Sequence, residues 1–201
     1  MSNYFYILWI PILPLISFII LGLWGRKRLQ SIAGYLGVAM LLISTLLSLK
    51  AANQYFLVDG ATNGEFQKII PVKFQWLVFS STLSIDMGVM VDAISVMMLV
   101  VVTFVSLMVH VFSLGYMKGE ERYATYYSFL GLFTFSMLGL VLSINIFQMY
   151  IFWELVGASS FLLISFYFNK PSAVRASKKA FIVTRFADLG FLIGILTIGF
   201  I

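Results

Sequence analysis

The chain has 201 residues, of which 61% are hydrophobic and only 10% are charged, and its mean hydropathy is +1.01. Because soluble domains carry roughly a quarter charged residues, this composition excludes an ordinary soluble domain. The 13 Lys and Arg outnumber the 8 Asp and Glu, but they cluster beside apolar runs, which argues against nucleic-acid binding. The lack of cysteine excludes thiolate-bound clusters and cysteine zinc sites, and a single histidine excludes a multi-histidine metal site. We therefore expect neither a metal nor a cofactor in this chain.

Six apolar runs in the sequence are long enough to cross a bilayer, whose core of about 30 Å requires about 20 residues in a helix. They are approximately Tyr4–Trp24, Ile32–Leu49, Met87–Tyr116, Tyr123–Ser143, Ile146–Phe168 and a run that begins near Ala173. The sixth run is still apolar at Ile201, so we expect this last span to be truncated. The sequence thus predicts an all-α polytopic membrane protein with about six transmembrane helices.

One hydrophilic stretch divides the predicted spans into two groups. Residues 1–50 are expected to form helices one and two, residues 51–86 a loop outside the membrane, and residues 87–201 helices three to six. Asn63 and Gly64 are typical of a turn, and the imperfect alternation of Lys73–Ser80 indicates a strand. We therefore expect a small extramembrane β-hairpin in this loop.

Basic residues indicate the orientation of the chain in the membrane. The cluster at 26–28 follows the first apolar run instead of preceding it, which favours a retained anchor over a cleaved signal and places the first loop in the cytoplasm. The loops after the third and fifth runs are also basic, whereas the link around Ser143–Asn145 has no charge. We predict a multi-pass protein of the bacterial inner membrane with its amino terminus outside.

Glu154 is the most informative residue, because it is the one charged residue in the apolar segment Phe147–Phe168. A carboxylate there costs at least about 2.5 to 3.5 kcal/mol unless it is protonated, paired or hydrated, so such residues are usually functional. Gly157 and Ala158 share its helix face and would let a neighbouring helix approach. Competition between desolvation and nearby cations would tune its proton affinity, as a proton relay requires. The alternative is a protonated glutamate that joins two helices for structural reasons.

The sixth run carries charged residues on one helical stripe. At 1.5 Å per residue, Arg185 lies about 10 Å further along the helix than Lys178, and Asp188 follows it by one turn. The Arg185–Asp188 pair either stabilises packing or tunes a charge network that includes Glu154. Lys178 and Lys179 are candidate relay cations near the cytoplasmic end, and the alternative is that they only set the topology.

The third run contributes the single histidine and is flanked by two carboxylates. His110 lies near the cytoplasmic end of this run and is either a hydrogen-bonded packing residue or a proton relay. Asp86 and Asp92 flank its outside end, where carboxylates can cap a helix start and reach interfacial water. We expect structural roles for both.

Four segments of the chain, in order, resemble one family of membrane proteins. They are Ile85–Ser95, Val109–Glu121, Phe147–Phe166 and Lys178–Gly190. Together these segments are similar to the antiporter-like subunit of respiratory NADH:quinone oxidoreductase (complex I) known as subunit L or mitochondrial subunit five, and to Mrp-type sodium/proton antiporters. The WE motif at 153–154 and the residues that follow it are the most specific part. Outside Ile85–Ile201 the resemblance is limited to hydropathy and topology.

The resemblance implies an antiporter-like fold and a part in coupling electron transfer from NADH to quinone with proton translocation through a half-channel. It implies that Glu154 is the essential membrane carboxylate and that Arg185 and Asp188 are the family's Arg-x-x-Asp pair. His110 would be the family's helix-three histidine. The lysine partner of the glutamate would lie on a later helix, outside this chain.

The resemblance also implies partners and leaves an alternative open. Other membrane subunits of complex I and lipid would surround the chain, and NADH, flavin and clusters would bind elsewhere in the enzyme, with no redox chemistry in this chain. Leu155 replaces the glycine usual after the glutamate, a feature shared with the antiporter relatives. A large subunit of an Mrp-type sodium/proton antiporter is therefore the alternative, although the Arg-x-x-Asp pair favours subunit L. A scaffold without transport is the third possibility.

Overall fold

The computed structural model describes residues 4–59, 66–78 and 84–199. Within these ranges the chain forms six helices that are long and apolar enough to cross a membrane. Their α-helical parts are α1 (Trp9–Ile20), α2 (Ala33–Asn53), α3 (Ala93–Tyr116), α4 (Tyr123–Val141), α5 (Ile146–Ile164) and α6 (Pro171–Gly199). The predicted helical, polytopic membrane architecture is confirmed.

Irregular helical turns lengthen three of the spans. A 3-10 turn (Phe5–Leu8) precedes α1, and π-helical turns follow α1 (Leu21–Leu29) and α2 (Gln54–Asp59). A second 3-10 turn (Ser165–Tyr167) follows α5. The second span therefore continues well past its predicted end at Leu49. It does so because Lys50 places its ammonium 4.7 Å from the centre of the Tyr6 ring, while the Tyr6 hydroxyl donates to Gln54 Oε1 at 2.8 Å. These contacts accommodate the polar residues at the helix end.

A two-stranded antiparallel hairpin lies between α2 and α3. Strand β1 (Ile69–Val78) pairs with β2 (Ser84–Val91). The predicted hairpin is confirmed, and the predicted strand overlaps β1, although the turn predicted at 63–64 lies outside the described residues. The predicted start of the third helix at Met87 was wrong, because the apolar residues from Met87 pair with β1 instead. A short apolar run before a helix does not reveal by itself whether it is strand or helix.

Asp92 marks the true start of α3. Its Oδ1 accepts a hydrogen bond from the Ser95 amide at 2.7 Å, and Ser95 Oγ accepts one from the Asp92 amide at 2.7 Å, which completes a capping box. The predicted capping role of this carboxylate is confirmed. Asp86 instead lies within β2, where its carboxylate pairs with Lys73 at 2.8 Å.

The hairpin is fixed to the link between α4 and α5. Gln148 bonds both backbone groups of Gly88, since its Oε1 accepts from the amide at 3.1 Å and its Nε2 donates to the carbonyl at 2.8 Å. The Met90 amide donates to the Leu142 carbonyl at 2.9 Å. Gly88 is required here because a Cβ would lie 2.4 Å from the Val72 carbonyl oxygen. The hairpin and the α4–α5 link therefore share one end of the bundle.

The loops after α1, α3 and α5 meet at the opposite end. Gln30 donates to the Glu121 carbonyl at 2.5 Å, and the Tyr167 hydroxyl donates to the Glu120 carboxylate at 3.1 Å. Successive loops therefore lie at alternate ends of the bundle, as six consecutive membrane-spanning runs predict.

The first four helices form the packed part of the bundle, whereas α5 and α6 lie at its edge. Between α2 and α3, Ser48 and Thr103 share a 2.7 Å hydrogen bond, and Ser128 of α4 donates to the Phe18 carbonyl at 3.0 Å. Such bonds satisfy polar groups that lipid cannot. Helix α5 packs against α4 and α6 packs against α5, and most side chains on this outer pair are partly or fully exposed.

Candidate functional site

Three charged side chains meet where α5 packs against α6. The Arg185 guanidinium contacts the Glu154 carboxylate directly, and its Nη2 also donates to the Glu154 backbone carbonyl at 3.4 Å. Its Nη1 lies 3.8 Å from Asp188 Oδ2, one helical turn further along α6. The structure therefore brings together the three residues that the sequence singled out, with one guanidinium between two carboxylates.

The three side chains differ in how deeply they are buried. Asp188 is the most enclosed, with 6% of its side chain exposed, against 23% for Glu154 and 31% for Arg185. The aliphatic and aromatic surroundings include the Phe181 ring, whose centre lies 4.7 Å from the guanidinium carbon of Arg185. Ionic groups in such a place are stabilised chiefly by each other, because lipid offers no hydrogen bonds. The cluster carries one net negative charge when both carboxylates are ionised.

Small residues on α5 leave room for the arginine, as the sequence indicated. A Cβ added to Gly157 would lie 3.6 Å from Arg185 Nη2, which is an ordinary van der Waals contact. Gly157 therefore gives the guanidinium space without being strictly required by the packing.

Trp153 also belongs to the cluster, and the sequence analysis missed this. Its indole Nε1 donates to Asp188 Oδ1 at 3.0 Å. Aromatic residues are so common in membrane spans that no local pattern distinguishes this tryptophan as a hydrogen-bond donor. The available signal was its position next to a lone membrane carboxylate, since an indole N–H inside a membrane requires an acceptor.

Lys178 and Lys179 lie apart from the cluster. Both side chains are exposed on the first half of α6, towards the end of the bundle that carries the basic loops. In the part of the chain that the structure describes, neither lysine makes an ion pair with Glu154 or Asp188. Their predicted role as relay cations remains a prediction.

His110 is fully buried between α2 and α4, away from the charged cluster. Its Nδ1 donates to the Ser106 carbonyl at 2.8 Å, its own carbonyl accepts from the Tyr127 hydroxyl at 2.8 Å, and its ring packs edge-on against Tyr127. Gly37 makes room, because a Cβ there would lie 2.8 Å from the Tyr127 ring. His110 Nε2 has no hydrogen-bond partner among the described residues. Helix α4 lies between this histidine and α5.

The chemistry open to the cluster follows from one arginine shared by two carboxylates. Among the residues that the structure describes, no three acidic or histidine side chains converge as a metal site requires. One arginine shared by two carboxylates has two favourable pairings, and protonation of either carboxylate leaves the other as the better partner. A proton taken up by Glu154 would thus release Arg185 towards Asp188.

Two models of known sequence families match parts of the chain. Residues 76–127 match the amino-terminal region of chain 5 of NADH-ubiquinone oxidoreductase, complex I. Residues 143–200, which contain the charged cluster, match the transmembrane region of the NADH:quinone oxidoreductase/Mrp antiporter family.

Individual relatives agree with these matches. Subunit L of the NADH-quinone oxidoreductase of Neisseria meningitidis is 41% identical over 187 residues, which cover 92% of this chain and 27% of the relative. The chloroplastic NAD(P)H-quinone oxidoreductase subunit 5 of Zygnema circumcarinatum is 38% identical over 199 residues, or 96% of this chain and 27% of the relative. The similarity therefore extends into residues 1–84, beyond the motifs that first indicated it. The chain spans about a quarter of the length of these relatives.

Two solved membrane complexes contain the same fold. A chain of the archaeal membrane-bound sulfane sulfur reductase superposes with a TM-score of 0.76 at 19% identity, over 96% of this chain and 36% of that one. A chain of the Mrp complex from Dietzia sp. DQ12-45-1b superposes with a TM-score of 0.68 at 22% identity, over 91% and 18% respectively. With the family matches, the relatives and the antiporter-like fold in agreement, the chain belongs to the antiporter-like membrane subunits of the complex I chain 5 and Mrp antiporter family.

Proposed function

We propose that this chain is part of a proton-translocating membrane subunit of NADH:quinone oxidoreductase and that Glu154 is its proton-exchanging group. The observation that carries the proposal is the position of Arg185, in contact with Glu154 and 3.8 Å from Asp188. The relatives named as subunits of this enzyme support the choice of complex. In the complete enzyme, NADH oxidation and quinone reduction take place in other subunits, which also bind the flavin and iron–sulfur groups.

The cluster would work through two arrangements of one ion pair. When Glu154 is ionised, Arg185 pairs with it, as in the structure. When a proton from the aqueous side binds the Glu154 carboxylate, the attraction between the two falls and Arg185 moves the short distance to Asp188. Release of the proton towards the other side of the membrane restores the first arrangement. A charge displaced by quinone reduction elsewhere in the complex would drive the change, because each arrangement responds to the local electric field.

The proposed orientation has the amino terminus outside and the loops after α1, α3 and α5 in the cytoplasm of a bacterium. It is supported by the basic residues of these loops, which meet at one end of the bundle, whereas the hairpin and the uncharged α4–α5 link lie at the other. The membrane would be the bacterial inner membrane, and the partners would be the neighbouring membrane subunits and lipid.

A sodium/proton antiporter subunit is the second candidate, and it is supported by the match of residues 143–200, which contain the charged cluster, to a family that includes Mrp antiporters. The two candidates differ in their source of energy. Proton uptake driven by NADH in proteoliposomes, carried out by the full-length subunit in a complex that contains flavin and iron–sulfur subunits, would support the first. Sodium-dependent proton movement without NADH, in a complex that lacks those subunits, would support the second. In either case Glu154→Gln tests whether this carboxylate carries the proton.

A further inference from the structure

The indole of Trp153 divides the two oxygens of Asp188 between two partners. Oδ1 accepts the indole N–H at 3.0 Å, and Oδ2 faces Arg185 Nη1 at 3.8 Å. An indole is a hydrogen-bond donor only and does not titrate, so it holds this oxygen whatever the charge of its neighbours. The carboxylate is thereby kept from turning both oxygens towards the guanidinium, the geometry in which arginine binds a carboxylate most strongly.

Ring packing holds the indole in this place. Trp153 and Tyr150, one turn apart on α5, both pack edge-on against Phe191 of α6, with ring centres 6.0 and 5.7 Å apart. Phe191 lies one turn beyond Asp188 on the same helix. One aromatic contact and one hydrogen bond therefore hold the Trp153 indole against α6. Its N–H binds Asp188, the acid that competes with Glu154 for Arg185.

We propose that Trp153 is a positioning residue, which holds Asp188 back from Arg185 so that the arginine rests on Glu154 until a proton arrives. This inference rests on the proposed function of Glu154. Without the indole N–H, Asp188 would turn both oxygens to Arg185 and draw it away from Glu154. A Glu154 carboxylate that has lost its cation retains a proton more readily.

The test is the pH profile of proton pumping by the complete enzyme in proteoliposomes, with Trp153→Phe in the full-length subunit. The variant keeps an aromatic ring and loses only the donor. The midpoint of the pH range over which proton release limits pumping should move to higher pH by roughly one to two units, the size expected for one hydrogen bond to a charged group. Because a midpoint does not depend on the amount of enzyme, it can be read from the assembled fraction even if assembly decreases.

Two controls separate this role from simple packing. Tyr150→Phe leaves the contact with Phe191 in place and does not touch Asp188, so its profile should match that of the wild type. In an Asp188→Asn background, Trp153→Phe should cause no further shift, because the competing charge is already gone. A midpoint unchanged in Trp153→Phe, or shifted equally in the Asp188→Asn background, would overturn the proposal. So would a complete loss of assembly, which would assign the indole to packing.

Glu154→Gln, measured in the same preparation, keeps this inference distinct from the proposed function. If Glu154→Gln abolishes pumping and Trp153→Phe has no effect, only the positioning role fails. If Glu154→Gln pumps normally, the proposed function itself fails.

Discussion

Arg185 contacts the Glu154 carboxylate directly, yet the arginine lies 3.8 Å from Asp188 on its own helix. Arg185 therefore pairs more closely with Glu154 on the neighbouring helix than with Asp188, which is only three residues away in sequence. This arrangement joins α5 to α6 at the point where the apolar surface of the bundle is interrupted by charge.

The first prediction concerns the arginine. Arg185→Gln should reduce proton pumping to less than about a tenth, because a carboxylate left without its partner inside a membrane carries an uncompensated charge. Arg185→Lys should retain more activity, since it keeps the charge but loses the planar group that reaches two acceptors. Both variants are measured as NADH-driven proton uptake, normalised to the amount of assembled complex. Equal activity of the two variants would contradict the role assigned to the positive charge at this position.

Much of this site could be predicted from sequence, for a physical reason. An isolated carboxylate in an apolar helix is costly, so Glu154 was conspicuous, and helical periodicity alone placed Arg185 and Asp188 on one face. Trp153 could not be identified in the same way, because its acceptor lies 35 residues away on another helix. A contact between helices depends on how they pack, which no local pattern records.

In the fold, too, local features could be predicted from the sequence, whereas contacts between distant segments could not. The length of apolar runs predicted the helices, since the bilayer sets that length. The sequence from Met87 predicts a helix, because five apolar or small residues before a long apolar run do not differ from the start of that run. Their pairing with β1 is a contact between distant parts of the chain, and Asp92 marks the helix start only once its bond with Ser95 is known.

The second prediction concerns the attachment of the hairpin. Gly88→Ala should destabilise the protein by about 1 to 3 kcal/mol, because the new Cβ would lie 2.4 Å from the Val72 carbonyl oxygen and the strand would have to shift. Gly115→Ala is the matched control, since a Cβ there meets no atom within 4 Å. Thermal unfolding of the detergent-solubilised protein, together with protease sensitivity near the hairpin, measures the difference. Equal stability of the two variants would contradict the close packing of β1 and β2.

The third prediction concerns Tyr4, which is buried just before the first span and whose hydroxyl donates to Asp59. Burial, followed by this hydrogen bond, raises the pKa of Tyr4 above its ordinary value. Because the pKa is higher in the folded state, the contribution of Tyr4 to stability is fully present below about pH 10, the value for an unfolded chain, and declines at higher pH. Tyr4→Phe should therefore lower stability by roughly 1.5 kcal/mol at neutral pH and make the loss of stability above pH 10 less steep.

Stability of the wild type and of Tyr4→Phe is compared between pH 7 and 11 in the same detergent. Tyr35→Phe serves as the control, because Tyr35 is 70% exposed. A constant difference between wild type and Tyr4→Phe across this pH range would contradict the assigned titration.

The role proposed for Glu154 is to carry the translocated proton. It is tested most directly by NADH-driven proton uptake into proteoliposomes that contain the complete enzyme with Glu154→Gln, which keeps the shape of the side chain and removes its charge. Glu121→Gln, the same substitution at an exposed loop position, is the control for assembly and expression. We expect that Glu154→Gln lowers proton uptake per NADH oxidised well below the value for Glu121→Gln, with both complexes assembled to the same extent. Equal proton uptake per NADH in the two variants would contradict it.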